Sequence, residues 1–175
     1  MAVHGPTETR EAVVDGALAG VIAGIALALF LTTMNVANGQ DLWAGAKLAG
    51  LPFLGERALE PGFASGPILV GVLSHLAVSI GWGILFAILL YGFGSAITVA
   101  SSVVWGICVW LGMHYVVLPL AGAEQVTAMV TPAMAIFEHV AFGVALGLSL
   151  IVVRRARHPV TLITGHQVPM GSRVG

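Results

Sequence analysis

Two adjoining apolar stretches decide the fold of this chain: ILVGVLSHLAVSIGWGILFAILLY at residues 68–91 and AITVASSVVWGICVWLGMHYVVLPL at residues 96–120. No Asp, Glu, Lys or Arg lies between Glu60 and Glu124. A helix needs about 20 mainly apolar residues to cross about 30 Å of hydrocarbon, so each stretch is long enough to span a bilayer. The glycine-rich sequence YGFGS at residues 91–95 predicts the turn between them.

Two further apolar segments, 16–34 and 133–153, complete a predicted set of four transmembrane helices. Of the 175 residues, 58% are hydrophobic and 9% are charged, whereas soluble domains contain about 45–50% apolar and about 25% charged residues. This composition excludes a soluble enzyme, and a net charge of −1 offers no basic surface for nucleic acid. The single cysteine, Cys108, allows neither a disulfide nor a CxxC site within one chain. The predicted fold class is all-α, a polytopic membrane protein with an antiparallel four-helix bundle.

The segments outside the four spans predict the domain organisation. Residues 1–15 are expected to be an N-terminal segment, residues 16–153 a transmembrane domain with an outer loop at 35–67, and residues 154–175 a basic, disordered tail. Within the loop, residues 41–51 are expected to form a short helix. The acidic residues that precede the first span favour its retention over its cleavage as a signal peptide.

The distribution of basic residues predicts the orientation in the membrane. With four crossings both termini lie on one side. That side holds Arg10, Arg154, Arg155, Arg157 and Arg173, and the other side holds Lys47 and Arg57. Because cytoplasmic flanks retain positive charge, we expect both termini in the cytoplasm and the outer loop in the periplasm, in a bacterial inner membrane.

Small residues spaced by four positions predict the packing faces, because membrane helices associate through close backbone contact. The stripes are Gly16, Gly20 and Gly24 in the first span, Gly71, His75, Ser79 and Gly83 in the second, and His139, Gly143 and Gly147 in the fourth. Two histidines therefore lie on faces that are expected to be buried in the bundle.

Three histidines from different spans are predicted to share one depth. His75 and His139 lie near the starts of their spans, and His114 lies near the end of its span. Because successive helices run in opposite directions, all three lie about 9–10 Å from the outer face at about 1.5 Å per residue. Glu138 lies at the same level. Ionisable groups in hydrocarbon are costly and indicate a functional site.

Several kinds of site fit this layer. A transition metal ion could be held by His75, His114, His139 and Glu138, since imidazole is the commonest metal ligand. Two histidines could instead be the axial ligands of haem, and a Glu–His chain could relay protons, although no second carboxylate continues such a path. We favour a metal ion or haem that serves redox or metal handling.

The alternative hypothesis is a non-catalytic accessory or structural subunit whose histidines form interhelical hydrogen bonds. Whether the chain is an enzyme stays open on this sequence. The lipid bilayer is the expected surrounding partner, nucleic acid is not expected, and a homo-oligomer or a membrane-complex partner is left open.

A set of short motifs also points to a family. Ser74-His75 precedes Ser79-Ile80, His114 precedes Pro119-Leu120 and Gly122, Ile136-Phe137 precedes His139, and the last span closes on Val152-Val153-Arg154-Arg155. With these features, residues 74–158 resemble the YagU-type family of small bacterial inner-membrane proteins. The resemblance implies an inner-membrane helical protein and no particular reaction. The YagU-type pattern does not explain residues 47–63. We therefore expect that a closer group of relatives exists.

Overall fold

The structure, a computed structural model, describes residues 6–158 and is 84% helical, with no strand in that range. The helices are α1 (Pro6–Ala37), α2 (Ala44–Leu48), α3 (Leu51–Leu54), a 3-10 helix (Gly55–Leu59), α4 (Ser65–Leu89), α5 (Ser95–Leu120), α6 (Gln125–Met129) and α7 (Pro132–Arg157). The predicted all-α fold class is confirmed. Residues 159–175, most of the tail that was expected to be disordered, lie outside the described part.

Four of these helices, α1, α4, α5 and α7, are long and apolar enough to cross a membrane. Each presents large apolar side chains outward: Leu29 is 64% exposed, Leu69 60%, Val104 61% and Val152 62%, one on each helix. Soluble monomers rarely expose contiguous apolar patches larger than a few hundred Å². The outer surface of the bundle is therefore suited to lipid, as in a membrane protein.

The first and last long helices extend beyond the predicted spans. α1 begins at Pro6 rather than at Gly16, and α7 continues to Arg157, so the residues assigned to the N-terminal segment and to the start of the tail are largely helical. A tertiary contact joins the two extended helix ends. Asp15, only 1% exposed, forms an ion pair with Arg157, and its Oδ2 lies 3.3 Å from Nε2 of His158. Hydropathy marks such residues as outside the membrane but cannot reveal that they pair.

Glycines let α1 approach α4, and α5 approach α7, with almost no space between the backbones. A Cβ added at Gly20 would lie 2.5 Å from the carbonyl oxygen of Ser79, and one added at Gly143 would lie 2.3 Å from that of Ser102. Real Cβ atoms essentially never come so close to backbone. The predicted small-residue stripes of α1, α4 and α7 lie at these contacts.

The long helices are arranged in the order α4–α1–α7–α5, since α1 packs on both α4 and α7, and α7 packs on α5. α4 and α5 are consecutive in the chain but make few close backbone contacts. Aromatic side chains fill the space between them. The ring of Trp105 lies 5.8 Å from that of Trp82 and 5.6 Å from that of Phe86. Trp82 Nε1 also donates a hydrogen bond to Sδ of Met113 at 3.3 Å.

Residues 38–64, called the outer segment below, form a compact cover that contains α2, α3 and the 3-10 helix. α2 is shorter than the helix predicted over 41–51, because the chain turns at Ala49 and Gly50 before α3 begins. α2 packs directly on α4: a Cβ added at Gly71 would lie 1.8 Å from the carbonyl oxygen of Ala46. The outer segment is thus fixed against one end of the bundle.

Candidate functional site

His75 connects α4 to α1. Its Nε2 lies 2.9 Å from the carbonyl oxygen of Gly24. Because a carbonyl oxygen can only accept, Nε2 carries the proton and Nδ1 keeps a lone pair. Within residues 6–158, Nδ1 has no hydrogen-bond partner. This imidazole is therefore oriented by backbone and retains one nitrogen that can bind a ligand.

His139 has a similar arrangement on α7. Its Nδ1 lies 2.7 Å from the carbonyl oxygen of Ala135, one turn earlier in the same helix. Nδ1 is accordingly the protonated nitrogen, and Nε2 has no hydrogen-bond partner in the described range. The backbone at His139 is held against α5, since a Cβ added at Gly106 would lie 2.5 Å from the His139 carbonyl oxygen.

His114 lies in a π-helical turn of α5, Met113–Val117. π-helical turns are rare in proteins, and those that occur are often found at functional sites. The imidazole ring lies 5.7 Å from the ring of Trp110 and 5.2 Å from that of Tyr115. Neither ring nitrogen has a hydrogen-bond partner among the residues that the structure describes. Aromatic contacts therefore position this histidine.

Two adjoining cavities bring the predicted site residues together. The outer cavity, about 380 Å³, is lined by all three histidines and by residues of the outer segment. The inner cavity, about 170 Å³, is lined by His75, His139 and Glu138. His75, Val78, Met113 and His139 line both cavities. The imidazoles of three separate helices thus face one connected space.

The structure does not bring these side chains into a closed set of metal ligands. In the described part of the chain, no group of three or more His, Cys, Asp or Glu side chains is placed to hold a metal ion. Glu138 lines only the inner cavity, whereas His114 lines only the outer one. The carboxyl group of Glu138 has no hydrogen-bond or ion-pair partner in residues 6–158.

The outer wall of the site depends on Lys47, whose role the sequence did not indicate. Lys47 is 1% exposed, and its ammonium group donates to Asp41 Oδ2 at 3.2 Å, to the Gly62 carbonyl at 2.8 Å and to the Glu60 carbonyl. The backbone N–H groups of Trp43 and Gly62 donate to the same carboxylate at 3.0 and 2.9 Å. These two donors, followed by Lys47, hold the pKa of Asp41 below its usual 3.8. A lysine in a short apolar helix gives no sequence signal that it is buried.

The opposite end of the bundle is also polar. Arg154 donates to the carbonyl oxygens of Ala87 at 3.3 Å and Leu90 at 3.2 Å, which satisfies the C-terminal end of α4. The hydroxyl of Tyr91 donates to Glu11 at 3.2 Å. Burial, and then the contact with Glu11, raises the pKa of Tyr91 above 10.0.

These features define a class: a four-helix membrane protein with a histidine-lined cavity under a fixed outer segment. The model of DUF6789, a family of unknown function, matches residues 10–160, and the chain belongs to that family. The match includes residues 47–63, which the YagU-type pattern left unexplained, and it does not confirm the YagU-type resemblance. No curated protein and no solved structure matches the chain.

Proposed function

We propose that this membrane protein binds a metal centre through His75 and His139 and uses it in redox chemistry or metal handling. One observation carries the proposal. Each of the two imidazoles donates its N–H to a backbone carbonyl, and its other nitrogen accepts no hydrogen bond from the described residues. Histidines that bind metals almost always have their second nitrogen anchored in this way.

Haem fits the site better than a bare ion. A bare ion such as zinc needs three or four protein ligands, and no such group is formed within residues 6–158. Haem iron takes only one or two axial ligands from the protein. The outer cavity is walled mainly by apolar side chains such as Pro52, Phe53 and Val117, which suit an apolar macrocycle. Glu138, in the adjoining cavity, would offset positive charge on the iron.

The proposal includes a location in a bacterial inner membrane with both termini in the cytoplasm. Its support is the basic cluster Arg154, Arg155 and Arg157 at the end of α7, opposite the outer segment. Cytoplasmic ends of membrane helices carry such an excess of basic residues. The metal centre would then lie on the periplasmic side.

The test is a haem titration of the purified full-length protein in lipid nanodiscs. Hemin is added in steps while the Soret absorbance is followed, and bound metals are measured on the protein as isolated. We expect a saturable Soret change in the wild type and its loss in the double variant His75→Ala/His139→Ala. The matched control is His158→Ala, which removes a histidine at the opposite end of the bundle.

Two results would reject the metal-centre proposal. One is a folded wild-type protein with neither bound metal nor a saturable Soret change. The other is a double variant that takes up hemin like the wild type, since that uptake would reflect partition into lipid. Circular dichroism and gel filtration identify folded samples.

A second candidate function has its own observation. The hydrogen bond from His75 to Gly24 joins α4 to α1, as expected for an accessory or structural subunit whose histidines hold helices together. Interhelical bonds of this kind are worth about 0.6–2 kcal/mol. If this is the whole role of the layer, His75→Ala lowers the free energy of unfolding by that amount, His139→Ala does not, and neither wild type nor variants bind hemin.

A further inference from the structure

At the end of the bundle opposite the outer segment, a cavity of about 370 Å³ is lined by charged side chains of both signs. Its walls include Glu11 and Asp15 from α1, Arg154 and Arg155 from α7, and Tyr91 and Phe93 from the turn that follows α4. These residues lie where the apolar spans end. The cavity is therefore level with the headgroups of the surrounding lipid.

The charges in this cavity are only partly matched. Asp15 forms an ion pair with Arg157, and its Oδ2 lies 3.3 Å from Nε2 of His158. Arg154 donates to two neutral carbonyl groups, and Arg155 has no partner within residues 6–158. Glu11 accepts a hydrogen bond from the neutral Tyr91 hydroxyl. Within residues 6–158, Arg154 and Arg155 thus have no carboxylate oxygen at ion-pair distance, although Asp15 also attracts the Arg154 guanidinium, and Glu11 has no cationic partner.

We propose that this cavity binds the headgroup of a zwitterionic phospholipid, with the phosphate at Arg154 and Arg155 and a primary ammonium group at Glu11. Guanidinium groups are suited to phosphate because they offer several N–H donors in a fixed plane. A carboxylate accepts hydrogen bonds from a primary ammonium, whereas a choline headgroup has no N–H to donate. The bound lipid is therefore a phosphatidylethanolamine.

The neighbouring apolar side chains continue this site toward the hydrocarbon. Leu89 is 59% exposed and Phe93 is 51% exposed beside the α4–α5 turn. A headgroup seated among the charges would lay its acyl chains along such lipid-facing residues. The headgroup cavity shares no lining residue with the two histidine-lined cavities, so lipid binding there can be tested independently of the metal centre.

The test is lipid retention by the full-length protein. Protein from nanodiscs with equal parts of phosphatidylethanolamine, phosphatidylcholine and phosphatidylglycerol is released into mild detergent and analysed by native mass spectrometry. We expect one preferentially retained phosphatidylethanolamine. Arg155→Gln should reduce its retention about fivefold, as expected for the loss of one Arg at a membrane surface. Arg57→Gln, an exposed arginine of the outer segment, is the matched control and should change nothing.

Glu11→Gln tests the selectivity separately and covers the case in which Arg155→Gln does not fold. This variant should retain phosphatidylcholine as well as phosphatidylethanolamine. A competition experiment with inorganic phosphate distinguishes a lipid site from a site for simple anions. Millimolar inorganic phosphate should leave the retained lipid in place. Equal retention of all three lipids by the wild type would overturn the proposal. So would displacement by inorganic phosphate, or a Glu11→Gln variant that keeps the wild-type preference.

Discussion

The contact of α2 with α4 gives the sharpest test of how the site is covered. Gly71→Ala adds a single methyl group to α4 at the point where α2 crosses it. That Cβ would lie 1.8 Å from the carbonyl oxygen of Ala46, 2.9 Å from its carbonyl carbon and 3.3 Å from the backbone nitrogen of Gly50. All three atoms belong to backbone, so no side-chain rotation can relieve the clash.

The size of the effect follows from these distances. Carbon reaches its best contact with another heavy atom at about 3.5 Å or more, so the Ala46 carbonyl oxygen, 1.8 Å from the added Cβ, has to move outward with α2 by about 1.7 Å. Overpacking of this kind costs about 1–3 kcal/mol. Because about 1.4 kcal/mol is a factor of ten, the population with a detached outer segment should rise about 5- to 150-fold. The long helices should stay packed, since α1 meets α4 at other glycines.

Hydrogen exchange of the protein in nanodiscs measures this population. Amides of residues 44–59 should exchange faster in Gly71→Ala by the same factor, while those of α1 and α7 keep their rates. Gly81→Ala is the matched control, because it lies on the same helix and its added Cβ has no atom within 4 Å. The reasoning is refuted if both variants show the same exchange in the outer segment.

Two further predictions concern ion pairs. The pKa of Asp41 is lowered chiefly by the N–H of Trp43, so its carboxylate stabilises the outer segment above pH 3.8 and this stabilisation is lost as the pH falls through the lowered pKa. The protection of residues 38–64 against hydrogen exchange, measured relative to the intrinsic rate at each pH, should therefore fall in acid, whereas Asp41→Asn should show low protection at every pH; an unchanged acid transition in that variant contradicts the assignment. Asp15→Asn should lower the free energy of unfolding by about 1–3 kcal/mol, because Arg157 loses its partner but is 34% exposed and partly screened by solvent. Thermal unfolding measures this loss against Glu124→Gln, an exposed control, and equal stability of the two variants would contradict it.

The four spans could be predicted from sequence because composition and length alone require them. The stretch without charges between Glu60 and Glu124 leaves no other place for α4 and α5. The glycine stripes could also be predicted, because membrane helices pack where small residues let their backbones approach closely. Gly20 and Gly143 face the backbone of a neighbouring helix in this way. The pairing between Asp15 and Arg157 could not be predicted, because it joins residues at opposite ends of the described chain.

The sequence indicated which histidines share a cavity but not how their rings are oriented. Counting residues from the ends of the spans places His75, His114 and His139 at one level, and all three line one cavity. Ring orientation depends on the facing helix, as the bond from His75 to Gly24 shows, and spacing along one helix carries no such information. The buried ammonium of Lys47 depends on three groups from other parts of the outer segment for the same reason.

The helix order α4–α1–α7–α5 has a consequence for biosynthesis. α4 and α5 leave the ribosome one after the other, yet their main packing partners are α1 and α7, the first and last long helices of residues 6–158. α4 can dock on α1 at once, whereas α5 waits in the bilayer until α7 has been inserted. The histidines of α4, α5 and α7 can therefore line one cavity only after α7 has been made. A cofactor held by both His75 and His139 would bind after α7 has been inserted and could not guide the insertion of the earlier helices.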